Sequence, residues 1–453
     1  MSRATAAAAG HADPSHPSPS ARQRVRALRW FAQGRCLAED LDDGHTFTVY
    51  RAIPGEISAA RPVFDGHRHR WIAGHPENPS SDRVIPGCQA FSTCSGCAYL
   101  HLSPSAEQAA KRQSASEILQ RFANVTVHPD AFTWCGAPRG PGERTRATLS
   151  LTHHPGTGPV LGMRGMDGSV VDLDTCPALL PTLDDARHAL RTSARQAGLK
   201  PNTPWTLELH SGPRSSTNAS GIALVASCSE PEEHTPLRAF LERVHETLGY
   251  SVRTKGVDPA LDKGAWPAPW PLGAASAPEA EDTWTPTTPQ RYAALVAWVQ
   301  EHARARGRNV IDLTLGRGLF ALTLAEEASQ VWGVDHNHHA CAATLAWAQQ
   351  RGIHNLTLRP GKATTVLPRL LREGADFDTV LLNPMRSSLG ETLMQTITSC
   401  RADTLLYLAP APRAGAEDLR VLLATGWRPT TWSIADLHPG TASFLLAACL
   451  RRP

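Results

Sequence analysis

Cys88, Cys94 and Cys97 stand within ten residues of one another in a Gly- and Ser-rich stretch, CQAFSTCSGC. Thiolates are soft ligands, and this spacing lets one loop wrap an ion or a cluster. An all-thiolate site of four ligands needs one more sulfur. Cys176, in DLDTCPALLP, follows a strand-like run and precedes a proline, so it sits at a turn of restricted geometry. Bringing it to the other three closes a loop of roughly ninety residues, which forces the intervening chain to pack around the site. A cluster or a zinc ion satisfies such a donor set. The remaining six of the ten cysteines (Cys36, Cys135, Cys228, Cys341, Cys400 and Cys449) are scattered singly and read as small core hydrophobes.

The chain has 453 residues, which predicts two or three domains. At 41% hydrophobic and 19% charged it can bury real cores. No stretch reaches the roughly 18 apolar residues of a membrane helix. The start, MSRATAAAAGHADPSHPSPS, lacks an apolar signal region. Its composition reads as a disordered tail over residues 1–22, and the expected location is the cytoplasm, where disulfides are rare. A net charge of +3 permits a nucleic-acid partner without requiring one.

Residues 23–75 hold short apolar runs, such as FTVY, between Gly- and Asp-rich turns, and read as a small β-barrel. A central domain spans 76–283. It opens with a Pro- and Ser-rich loop and a polar, Ala-rich helix over 105–124. Strand-like runs then recur (TRATLSLTHH, VLGMRG, SVVDLD, WTLELHS, GIALVASC), which predicts a mostly antiparallel sheet. Residues 256–290 are rich in Pro, Ala and Gly and read as a linker or domain edge. From 284 to 453 strands alternate with helices (NVIDLTL, QVWGVD, LTLRP, DTVLLN, TLLYLAP), the rhythm of a doubly wound, Rossmann-like parallel sheet. The expected fold class is therefore α/β plus β.

PSSDRVIPGCQAFSTCSGCAYLHL resembles the cluster loop of the RNA uracil-C5 methyltransferases, and LGMRGMDGSVVDLDTCPALLP resembles that family's approach to its fourth ligand. RAIPGEIS is similar to the turn of the TRAM domain, an OB-like RNA-binding barrel, and ERTRATLSL to the strand that follows the cluster loop. The resemblance implies a [4Fe–4S] cluster on Cys88, Cys94, Cys97 and Cys176. It implies an RNA partner, tRNA or rRNA, a monomer without membrane association, and S-adenosylmethionine as cofactor. The family reaction is also implied. A cysteine thiolate attacks C6 of a flipped-out uracil, C5 takes the methyl group, and a glutamate removes the C5 proton.

The chain departs from the family where that chemistry resides. The family's nucleophile motif is Tyr-Val-Ser-Cys-Asn-Pro; here Tyr407–Leu408–Ala409–Pro410–Ala411–Pro412 puts proline at the cysteine position. In the base motif, Phe-Pro-x-Thr-x-His-x-Glu, the glutamate position is Leu445. No residue is therefore assigned a catalytic role; Cys400, ten positions before Pro410, precedes its strand and falls at the wrong sheet edge. The cofactor turn is better kept. Asp312, Thr314, Gly316, Gly318, Asp335 and Asn383 form the expected nucleoside pocket, although Thr314 replaces a family aromatic and Asn383 a family aspartate. His336, His338 and His339 read as solvated loop residues rather than metal ligands. Arg144, Arg146, Arg164 and Arg386 are candidate phosphate contacts. These features predict an RNA-binding family member that does not make 5-methyluridine. An RNA methyltransferase of altered chemistry, or a cluster-stabilised interaction protein without RNA, are the alternatives.

Overall fold

The computed structural model describes residues 22–256, 261–267, 287–385 and 387–452. The tail over residues 1–21, most of the linker over 256–290, and Arg386 lie outside the described residues. The described chain forms two compact units.

The first unit is a closed five-stranded barrel, ordered β1-β2-β3-β5-β4, of β1 (Gln23–Phe31), β2 (Arg35–Asp40), β3 (Thr46–Tyr50), β4 (Ile57–Phe64) and β5 (His69–Pro76). Its strands alternate as a half-buried strand must: Val25 and Ala27 point inward, while Arg24 and Arg26 lie exposed. Cys36, Phe47, Val49 and Trp71 fill the interior. In the Ile53–Pro54–Gly55–Glu56 turn, Gly55 takes a φ of 91°. Buried Glu56 accepts the Ile53 N–H at 2.9 Å and the Ser80 N–H at 3.1 Å. That carboxylate therefore shapes the turn from within.

The second unit contains two sheets. It begins with α1 (Pro104–Ile118), whose start is set by Ser103 accepting the Ala106 N–H and by Pro104 in the first turn. Next comes a short strand, β6 (Phe132–Cys135). The six-stranded central sheet uses β7 (Arg146–His154), β8 (Gly158–Arg164), β9 (Val170–Asp172), β10 (Trp205–Ser211), β11 (Ile222–Ser227) and β12 (Ser251–Thr254), in the order β12-β11-β10-β7-β8-β9. It is antiparallel except for the β11–β12 pair. Two helices, α2 (Pro181–Gln196) and α3 (His234–Leu248), place Leu183, Leu190, Leu237 and Leu241 against Leu149, Leu207 and Leu224 of the sheet.

The C-terminal part alternates as its sequence rhythm predicts: α4 (Pro289–Ala303), β13 (Asn309–Asp312), α5 (Leu319–Ala325), β14 (Gln330–Asp335), α6 (His338–Gln350), β15 (Leu356–Pro360), α7 (Ala363–Arg372), β16 (Thr379–Leu382), α8 (Glu391–Thr398), β17 (Thr404–Ala409), α9 (Pro412–Ala424), β18 (Arg428–Ala435) and β19 (Leu445–Arg451). The eight strands run β15-β14-β13-β16-β17-β19-β18-β6. Every residue of β17 is buried, because helices cover both faces of the sheet. Strand order reverses between β13 and β16, so a crevice opens beyond the carboxyl ends of those strands.

One boundary differs from the sequence reading. β6 comes from the segment assigned to the central domain, yet it pairs in parallel with β18, matching Phe132 to Trp432 and Cys135 to Ala435. The C-terminal half of α1 and the turn after it bury Ala115, Leu119 and Ala123 in the same core as Leu419 and Trp427. A division at residue 284 therefore cuts through the C-terminal core. The partner of this four-residue strand lies some three hundred residues away, beyond any local periodicity.

A buried ion network secures that junction. Lys111 is fully buried; its Nζ lies 2.7 Å from Glu107 Oε1 and 2.8 Å from Asp436 Oδ1. Arg139 Nη1 reaches Glu107 Oε2 at 2.7 Å, and Glu107 Oε1 also accepts the Gly440 N–H at 2.7 Å. Arg291 is paired with Glu143 and donates to the Asp436 carbonyl. Removing one member strands the others in a region where water cannot replace it. Lys111→Met is expected to destabilise the protein by about 3–5 kcal/mol, read as a fall in the urea midpoint; a loss under 1 kcal/mol would show the network to be hydrated. At the turn into α5, Gly318 has a φ of 74°, and a Cβ there would lie 2.4 Å from Thr344 Cγ2. Gly316, at φ 52°, has no such neighbour. Gly318→Ala should cost about 1–3 kcal/mol and clearly more than Gly316→Ala, since only the former adds a clash to backbone strain; thermal melts of the two variants compare them.

Candidate functional site

Cys88, Cys94, Cys97 and Cys176 line one cavity together with Phe91, Leu100, Met163 and Leu173. Two anchors create this. The loop carrying the first three cysteines winds through a single helical turn, in which Ala90 O accepts the Cys94 N–H at 2.8 Å. The loop is pinned to the end of β8 where Arg164 O accepts both the N–H (3.0 Å) and the hydroxyl (2.7 Å) of Ser95. The fourth cysteine is presented by α2. Asp184 accepts the Cys176 N–H at 3.1 Å, while fully buried Arg187 donates to Asp184, to Leu173 O at 2.6 Å and to Asp174 O at 2.8 Å. Arg187 thus fixes the approach to Cys176 as firmly as the proline after it.

No carboxylate lines this cavity, but Arg144 does. Its Nη2 lies 3.9 Å from Cys97 Sγ and 3.4 Å from the carbonyl of Pro439, and its Nε is buried without a partner. Burial pushes the Cys97 thiol up to about 11, opposed by the Arg144 charge and reinforced by Cys176, Cys94 and Cys88. A guanidinium stays protonated in proteins, and this cation shares the cavity with four sulfurs and no carboxylate. The donor set therefore fits a group that binds thiolates. Among the described residues no three His, Cys, Asp or Glu side chains converge closely enough to hold a single ion; the sulfurs surround a space instead.

The expected nucleoside-pocket residues gather at the carboxyl ends of β13, β14 and β16. Asp312 is buried, and burial raises its carboxyl to about 7; hydrogen bonds from Thr314 oppose the shift and Asp335 adds to it. Thr314 donates its N–H to Asp312 at 3.0 Å and accepts the Asn383 N–H at 2.6 Å, which joins the ends of β13 and β16. Asp335 accepts the N–H groups of Gly316 and Asn337, both at 2.8 Å. The glycine turn and the acid at the end of β14 are thus one hydrogen-bonded unit. His336, His338 and His339 are exposed beside it.

Pro410 and Leu445 also come together. Ala409 pairs with Leu446 across β17 and β19, so the two positions lie just beyond the last pair of that ladder. Pro410 is exposed, whereas Leu445 is buried in the apolar cluster of Ala435 and Leu437. Cys400 is buried near the opposite end of β17. Asp418 anchors the neighbouring loop: it accepts the Tyr407 and Ser388 hydroxyls, both at 2.5 Å, and the Leu389 N–H at 2.7 Å.

The candidate phosphate contacts divide. Arg144 turns to the cysteine cavity and Arg146 pairs with Glu208, so neither is a freely exposed cation; Arg164 is exposed. The sequence reading missed the roles of Arg144, Arg187, Glu107 and Lys111. The last two carried one signal, an acid and a base four apart on one helix, which reads equally well as a surface pair.

No family model matches the chain. It is 29% identical over 437 residues to the 23S rRNA (uracil(1939)-C(5))-methyltransferase RlmD of Pseudomonas putida, covering 93% of this chain and 92% of that one. An RNA methyltransferase of Halalkalibacterium halodurans is 24% identical over 432 residues, covering 90% and 92%. The fold matches the crystal structure of the Pyrococcus abyssi tRNA (uracil-54, C5)-methyltransferase, in complex with S-adenosyl-L-homocysteine, with a TM-score of 0.63, at 19% identity and over 95% of this chain and 100% of that one. Over more than nine-tenths of its length the chain is similar to RNA uracil-C5 methyltransferases.

Proposed function

We propose that this protein is an RNA-binding member of the RNA uracil-C5 methyltransferase family that holds a [4Fe–4S] cluster on Cys88, Cys94, Cys97 and Cys176, retains a pocket for S-adenosylmethionine, and does not form 5-methyluridine. The observation that carries the last point is that Pro410 and Leu445 flank the Ala409–Leu446 pair that ends the β17–β19 ladder. Proline offers no nucleophile. Leucine offers no base, and its side chain is packed among apolar neighbours. Without a thiolate to add at C6, uracil C5 is a poor nucleophile, and loss of a covalent nucleophile costs several orders of magnitude.

The cluster is supported by four sulfurs around a carboxylate-free cavity that contains a cation. Bound there, it would tie the cysteine loop to the α2 end through four thiolates. S-adenosylmethionine, when bound, would supply an electrophilic methyl group. Asp335 and the Gly316–Gly318 turn would hold its ribose side, with Asp312, Thr314 and Asn383 framing the crevice. RNA as partner is supported by the relatives, one named for rRNA and a structural neighbour for tRNA, and by the barrel with its exposed arginines.

The test is tritiated-methyl transfer into RNA from a strain lacking 5-methyluridine, with mass spectrometry of the nucleosides. No 5-methyluridine is expected, although the protein should retain bulk tRNA or rRNA on a filter, less as salt rises. Pro410→Cys alone should not restore the product. Adding Leu445→Glu places a carboxylate in an apolar cluster, which should destabilise the fold by several kcal/mol or neutralise the new acid. Stoichiometric 5-methyluridine from the unaltered protein would overturn the proposal.

A further inference from the structure

We propose that Arg144 is a positioning residue through which the group held by the four cysteines orders the loop of residues 436–441, the segment leading to the acceptor end of the C-terminal sheet. The inference rests on the thiolate site proposed above.

Three sets of contacts meet at Arg144. Its backbone is laddered onto the segment just after Cys176: Arg144 N–H donates to Ala178 O at 3.0 Å, and Leu180 N–H donates to Arg144 O at 2.8 Å. Its guanidinium faces Cys97 Sγ. The same Nη2 donates to Pro439 O, at the crown of the loop. The cavity wall and the loop are also in direct packing contact. Leu100 lines the cysteine cavity, and a Cβ on Gly440 would lie 3.0 Å from its Cδ2. Tyr99 N–H donates to Gly440 O at 2.9 Å. From the other side Glu107 holds the Gly440 N–H.

The physical asymmetry lies in charge. The Glu107 contacts belong to a network whose cations, Lys111 and Arg139, have carboxylate partners. Arg144 has none; its polar contacts among the described residues are a sulfur and a carbonyl. With a thiolate-bound group in the cavity, Cys97 Sγ is held in place and the guanidinium that bridges it to Pro439 O is held with it. With the cavity empty the cysteine loop has lost that tie, and the bridge loses one of its two ends. The loop then keeps its Glu107 anchor and loses its Arg144 anchor. Occupancy of the cysteine site is thereby read out some distance away, where the chain enters β19 at Leu445.

Hydrogen exchange followed by mass spectrometry, on peptides covering 436–445 of the full-length protein, tests this. The iron and sulfide content of each sample is measured alongside. Arg144→Gln should retain its iron yet exchange these amides roughly tenfold faster, the size expected for one lost hydrogen bond from a charged group. Arg144→Lys, which keeps the charge, should restore much of the protection. Wild-type protein stripped of metal by chelation should match Arg144→Gln in this loop, with α4 amides unchanged as a control for global unfolding. Unchanged loop protection in iron-replete Arg144→Gln overturns the inference while leaving the cluster in place. Should Arg144→Gln shed its iron, the chelated wild type decides, and unchanged protection there overturns it equally. Wild-type protein that never contains iron overturns the cluster reading and this inference with it.

Discussion

A single cation in a cavity of sulfurs organises the middle of this molecule. Arg144 cannot give up its proton, and the cavity it faces offers four cysteines and no carboxylate. The surrounding structure is built to keep those sulfurs together. Ser95 is bound to the end of β8, Arg187 grips both sides of the turn into Cys176, and Arg144 is laddered to the residues that follow. Such investment in backbone position is what a multi-thiolate site demands, because ligands held in place lose little entropy when the group binds.

The contrast between this region and the acceptor end defines the protein. The parallel sheet carries a glycine turn after β13 hydrogen-bonded to the acid that ends β14. At the end of β17 and β19 the positions that bear family chemistry carry a proline and a leucine. The leucine is a core residue, so a polar side chain in its place would cost packing and desolvation. Asp418 gathers Tyr407, Ser388 and Leu389 beside that end and so holds the surrounding loop in place.

Much of this was legible in the chain itself. Close cysteine spacing and the proline after Cys176 singled out four residues that line one cavity, and strand-helix alternation announced the C-terminal sheet. What could not be read were interactions between distant segments. β6 is four residues long and meaningful only beside β18. Glu107 and Lys111 stand in a helix legible only as polar and Ala-rich, since their burial depends on what Asp436 and Gly440 bring from over three hundred residues away. Arg144 read as one candidate phosphate contact among four; only the fold shows that it points at Cys97. Polar residues buried by long-range packing leave almost no local pattern, whereas apolar periodicity does.

The account stands on the cysteine cavity holding a thiolate-bound cluster. Its most direct test is the iron and acid-labile sulfide content of the full-length protein purified without oxygen, together with its visible absorption. Brown protein with about four iron and four sulfide per chain is the stoichiometry expected for four thiolate ligands. Colourless protein carrying stoichiometric zinc, or no metal at all, would contradict it.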